Sequence, residues 1–145
     1  MIDLFGRHSR VTYPFQRIRK LAKVPPAERR VEGLLTYVYH LFPNVLITVL
    51  SRHTNVVILE PLAIDRTRQI TYTMTNDGGD DPDALAEAKR DSEFVGTTGA
   101  QEDQAVVEAI QRGLASGAND AFTFGKFESA IVHFHQTLTA ALGRT

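Results

Sequence analysis

"NVLITVLSRHTNVVILEPLAIDRTRQITYTMT", residues 44–75, decides the fold. Three runs inside it, "NVLITVL", "NVVILEPLAI" and "QITYTMT", are rich in β-branched and aromatic residues, which pack well on a pleated, half-buried surface. The connectors "SRHT" and "DRTR" are short enough for hairpins, so a meander of three antiparallel strands is expected. In the last run the alternation assigns Ile70, Tyr72 and Met74 to the core, and Thr71, Thr73 and Thr75 to solvent. Val45, Ile47 and Val49 are candidate cavity-wall residues, subject to a register that one residue of slip would invert.

Upstream of the meander, "RVTYPFQRI" alternates Val11, Tyr13 and Phe15 against polar neighbours, a strand signal weakened by Pro14. "VPPAERR" is a turn leading into "RVEGLLTYVYHLF". There Val31, Leu34, Leu35 and Val38 fit a short helix face, while "TYVYHLF" fits a strand equally well. Downstream the period changes. "NDGGDD" has the composition of a flexible turn, and it lacks the terminal Glu of a calcium loop. Asp81 is the expected N-cap of a helix, with Pro82 at its first position and Gly96 closing it after Val95. Thr98 with Gln101 fits a capping box for the next helix. The closing stretch "FESAIVHFHQTLTAAL" sets Phe127, Ile131, Phe134, Leu138 and Leu142 on one stripe, so this helix should pack across the sheet. Strands followed by helices laid on one face make the fold class α+β, with residues 1–145 as a single domain.

Bulk properties exclude several classes. The chain of 145 residues carries a net charge of -1, so nothing draws it as a whole to nucleic acid or an anionic membrane. It has no cysteine, which removes disulfides, zinc fingers and thiolate-held iron–sulfur clusters. "MIDLFGRHSR" has no apolar core of a signal peptide, and "LFPNVLITVL" is too short to span a bilayer, so a cytoplasmic location is expected. Charge is uneven: residues 7–30 are basic and 77–103 lean acidic, the pattern of two solvated faces that attract each other or a partner.

Few residues suggest chemistry. His133 and His135 diverge by about 160° on a helix, so they flank Phe134 and cannot share a metal. His8, His40 and His53 have no partner at a metal-ligand spacing, and no nucleophile or phosphate-loop motif is present. Asp103 is different. Wound as a helix, residues 102–118 place Val107, Ile110 and Leu114 within about 40° of Asp103, while Glu102, Gln104, Glu108 and Arg112 lie off that stripe. A carboxylate in a first turn gains up to about 1 kcal/mol from the helix dipole, but Glu102 could serve that purpose from the solvent side. An inward acid must instead be paired, hydrogen-bonded, neutral or metal-bound.

"YHLFPNVLIT", "EPLAIDRTRQITYTM", "EDQAVVEAIQRGLASGA" and "ESAIVHFHQTL" together resemble the catalytic domain of Rieske-type ring-hydroxylating oxygenase α subunits, over about Gly6 to Leu142. The resemblance implies a helix-grip, START-related fold, with an antiparallel sheet wrapped around a long C-terminal helix and an apolar cavity between them. It implies Fe(II) held by two histidines and one carboxylate, and it places that carboxylate on Asp103. It further implies dioxygen-dependent oxidation of an aromatic or other apolar compound, with electrons from NAD(P)H. The family's histidine pair lies upstream of the matched stretch, and no ligand role passes to His8. With no cysteine there is no Rieske cluster. The expectation is therefore the C-terminal part of such a catalytic domain, not active alone and pairing with a second copy or a complementary chain through an exposed sheet edge. The alternative is a non-catalytic module that holds a small hydrophobic ligand.

Overall fold

The structure, a computed structural model, describes residues 1–76, 80–118 and 121–143, with the backbone alone at 98–101. Six strands form one antiparallel sheet in sequence order: β1 (Ile2–Phe5), β2 (His8–Pro14), β3 (Leu35–Leu41), β4 (Val45–Val49), β5 (His53–Ala63) and β6 (Arg66–Thr75). Two helices follow, α1 (Pro82–Ala115) and α2 (Ser129–Ala141). This is the α+β, helix-grip-like arrangement expected.

The three-strand meander stands as read, and the ambiguous segment before it resolves as strand β3. β1 was not foreseen. It is four residues long and joined to β2 by Gly6 and Arg7, with Gly6 at φ 59°, a conformation glycine adopts without steric penalty. Pro14 ends β2, as a residue without an N–H must when the ladder would need one. Gln16–Lys23 forms a 3-10 stretch, tied back to the turn before β3 by Arg17, which donates to the Gly33 carbonyl.

Asp81 caps α1 as expected: its side chain accepts from the Asp83 N–H at 3.0 Å, and Pro82 opens the helix. The expected break at Gly96 is corrected, because α1 runs unbroken through 34 residues. A helical glycine costs about 1 kcal/mol relative to alanine, too little to end a helix without proline or a left-handed residue beside it. Thr98 is inside the helix and so cannot cap one; its side chain and that of Gln101 lie outside the described residues, as does the turn at 77–79.

The register shows which sheet face carries the helices. His40 pairs with Leu46 across β3–β4 and packs edge-on against Phe134 of α2 at 5.0 Å. His53 pairs with Thr75 across β5–β6 and meets α1 on that same face. Leu46, Thr48, Asn55 and Thr73 therefore lie on the helix side. Val45, Ile47, Val49, Ile70, Tyr72 and Met74 lie on the other. The alternation holds, but the helices stand on the threonine side: Tyr72 and Met74 are exposed against expectation, while Thr71 and Thr73 are exposed as expected and Ile70 is half-buried. That outer face has its own polar cluster, in which Arg10 bonds Asp3 at 2.9 Å and lies over the rings of Tyr37 and Tyr39. Hydrogen bonding to Tyr39, and then to Asp3, raises the pKa of the Arg10 guanidinium.

α2 also departs from expectation. It packs on β1 and β2, and through Phe134 on His40 of β3, rather than across the whole sheet. Its covered side is Ala130, His133, Phe134, Thr137 and Leu138, while Phe127, Ile131 and Leu142 are exposed. Phe134 and Leu138 keep the expected side, whereas Phe127 and Leu142 fall outside the 13-residue helix.

Candidate functional site at helix α1

The first half of α1 is docked. His53, at 0% exposure, presents Nδ1 to Asp91 Oδ2 at 3.1 Å, and Arg52 pairs with Glu87 at 3.0 Å. Ala88 beneath them is 3% exposed and is the one fully buried hydrophobic residue among those described. His53 Nε2 has no hydrogen-bond partner, so the ring is held from one side only. A cavity of about 260 Å³ opens beside this contact, lined by Thr73, Met74, Thr75, Leu85, Lys89 and Ser92 among others. The sequence reading treated His53 as a lone turn histidine. The usable signal was Leu85, Ala88 and Ser92 at helical spacing, with Asp91 at their flank.

The second half of α1 carries Asp103, and here the inward reading is corrected. Asp103 does head the stripe of Val107, Ile110 and Leu114, but the whole stripe is exposed, at 59%, 50% and 44% for the three apolar members. The helix is about 51 Å long at 1.5 Å per residue, and its named contacts to β5 and β6 fall within 85–93. The stripe is thus about half open to solvent along its length. The polar side of the same half is internally arranged, with Gln104 donating to Glu108 at 2.9 Å and Arg112 within 4.0 Å of Glu108.

The histidines do not converge on Asp103. His8 Nδ1 accepts from the Phe42 N–H at 3.1 Å, a structural role joining β2 to the end of β3. His40 lies against Phe134. His133 is half-buried with Nε2 unpartnered, and His135 stacks among Phe122 and Phe124 on the opposite side of α2. Among the described residues no group of three or more His, Cys, Asp or Glu side chains can hold a metal ion. The donors present therefore do not fit a complete iron(II) site: Asp103 offers one carboxylate, with no imidazole beside it.

No helix of the described residues is long and apolar enough to cross a membrane. Comparison with known proteins gives no match among curated proteins and none among solved structures. One family profile does match, described as "Ring hydroxylating alpha subunit (catalytic domain)", over residues 3–144. With nearly the whole chain inside that match, and an open antiparallel sheet followed by helices as its fold, the chain belongs to the ring-hydroxylating α-subunit family, in its catalytic domain.

Proposed function

We propose that this chain contributes one wall of a non-haem iron oxygenase site, the kind of site that oxidises an aromatic or other apolar compound with dioxygen. The observation that carries the reading is the uncovered stripe of Val107, Ile110 and Leu114 headed by Asp103, inside a chain whose family is ring-hydroxylating. In this reading Asp103 is one metal ligand and the apolar stripe faces substrate or the elements that enclose it. The chain is not active alone. The remaining nitrogen ligands and the electron path, which needs cysteine ligands that this chain lacks, come from elsewhere in the working assembly.

What this chain's own residues do is limited and definable. Asp103 supplies an anionic oxygen without desolvation cost while exposed, and becomes a stronger ligand once its stripe is covered. Val107, Ile110 and Leu114 exclude water from the same side. The His53–Asp91 and Arg52–Glu87 contacts fix the azimuth of α1, and so the direction in which Asp103 points. Iron, were the missing ligands supplied by other parts of the assembly and Asp103 to hold it, would supply the dioxygen-activating chemistry.

The second reading is a non-catalytic module that holds a small apolar ligand. The observation behind it is the 260 Å³ cavity between β6 and α1, just below the roughly 300 Å³ at which small-molecule sites usually begin. The two readings separate on metal. Anaerobic iron(II) titration is run with imidazole standing in for the missing nitrogen donors, on the wild type and on Asp103→Ala. The oxygenase reading expects affinity to fall about tenfold or more in the variant, at least the loss that follows removal of a mere outer-shell partner of a metal ligand. Equal, negligible binding by both, together with saturable uptake of a small aromatic compound blocked by Ala88→Leu, transfers the case to the second reading.

A further inference from the structure

β6 forms one edge of the sheet, and its ladder can be traced residue by residue. The Asn76 N–H donates to the Arg52 carbonyl, toward β5, at 3.2 Å. On β5, Leu59 donates to Asn44 and His53 accepts from Leu50, both away from β6. Odd-numbered β5 residues thus bond toward β4 and even-numbered ones toward β6. On β6 the even-numbered residues bond β5, which leaves the N–H and C=O groups of Gln69, Thr71, Thr73 and Thr75 pointing off the sheet. Arg66–Thr75 has no proline and no glycine, and its one pairing irregularity lies at the far end, opposite Pro61 and Ala63. The usual devices that blunt an edge are thin here, limited to Arg66 and Arg68. The opposite edge, β1, is only four residues long and has α2 against it.

We propose that the free edge of β6 pairs antiparallel with the same edge of a second copy, about a twofold axis at Tyr72. In a continuous antiparallel sheet, opposed residues must share a face. Centring on Tyr72 sets Tyr72 opposite itself and Ile70 opposite Met74, joining the apolar residues of the outer face, where Tyr72 is 57% and Met74 49% exposed. On the other face Thr71 meets Thr73 and Gln69 meets Thr75, and these pairs carry the outward N–H and C=O groups that exchange bonds. Arg68 falls opposite Asn76, so no arginine meets an arginine. Moving the axis to Thr71 sets Arg68 against Met74, and moving it to Thr73 sets Ile70 against Asn76 and breaks the apolar pairing. α1 lies beside the C-terminal part of this strand, separated from Thr73, Met74 and Thr75 by the cavity they share.

The exposed area agrees. The chain exposes 11083 Å², whereas a folded monomer of 16.1 kDa exposes about 7,400 Å². That difference is several times the roughly 800 Å² per partner of a standard stable interface. A β6 pairing takes up one part of it, and the Asp103 stripe, which lies on another element, remains open.

Sedimentation of the full chain from micromolar to several hundred micromolar tests the proposal. The expected result is a concentration-dependent doubling of mass. Thr73→Pro removes an outward N–H and no backbone β5–β6 bond, though it also removes the Thr73 hydroxyl's bond to Asn55 Oδ1, so it weakens self-association about tenfold or more while the sheet signal in circular dichroism is kept. Should that variant fail to fold, Thr71→Lys serves in its place. Because the chain has no cysteine, Tyr72→Cys reports the register: it oxidises to a disulfide-linked pair, whereas Ile70→Cys and Met74→Cys link only when mixed. A monomer throughout the range overturns the proposal, as does association undiminished in the folded edge variant. Failure of Tyr72→Cys to link overturns the register.

Discussion

One helix lives in two environments. From Leu85 to Glu93, α1 is held by a sealed histidine, an ion pair and a buried alanine; from Glu102 to Leu114 it projects an aspartate and three aliphatic side chains into water. The backbone is continuous between them, so local propensity does not separate the halves. Their partners do. The first half is satisfied by this chain, while the second leaves an apolar stripe about half open to solvent. Such a stripe is the expected mark of a binding or functional surface rather than of a core.

The contrast can be broken most severely at His53. His53→Ala removes a fully buried ring and leaves Asp91 without its partner, so a loss of about 2–4 kcal/mol is expected in urea denaturation. A loss below the experimental error would mean that α1 is not anchored there. Ala88→Leu forces extra atoms into the same contact and should destabilise by about 1–3 kcal/mol by the same measurement. Gly96→Ala has the opposite sign. A Cβ there meets nothing within 4 Å, and the residue is helical, so the thermal midpoint should rise, by the equivalent of about 0.5–1 kcal/mol. A fall instead would favour two helices closed at Gly96. Ile110→Ala, in the undocked half, should change the stability of the isolated chain by no more than about 0.5 kcal/mol. A penalty as large as that at His53 would show that the stripe is covered after all.

Sequence reasoning reached some of these features and not others, for identifiable reasons. The β4–β6 meander was legible because β-branched runs separated by short connectors admit few alternatives. β1 was missed because four residues carry no period. The inward face of β6 was inverted because alternation fixes two sides without saying on which the helices will land. Gly96 was over-read as a terminator. The shared azimuth of Asp103 and its stripe followed from helix geometry alone, but their exposure did not, since whether a stripe is covered depends on other elements. The His53–Asp91 contact joins residues 38 apart and has no local signature at either end.

Asp103 and Glu102 are adjacent carboxylates at the head of one helical segment, and only the first lies on the apolar stripe. Nitric oxide binding to iron(II), read by electron paramagnetic resonance on the imidazole-supplemented protein, separates them. The account predicts a high-spin iron–nitrosyl signal that is retained in Glu102→Gln and lost in Asp103→Asn. A signal that survives in Asp103→Asn, or that is lost equally in both, would contradict it.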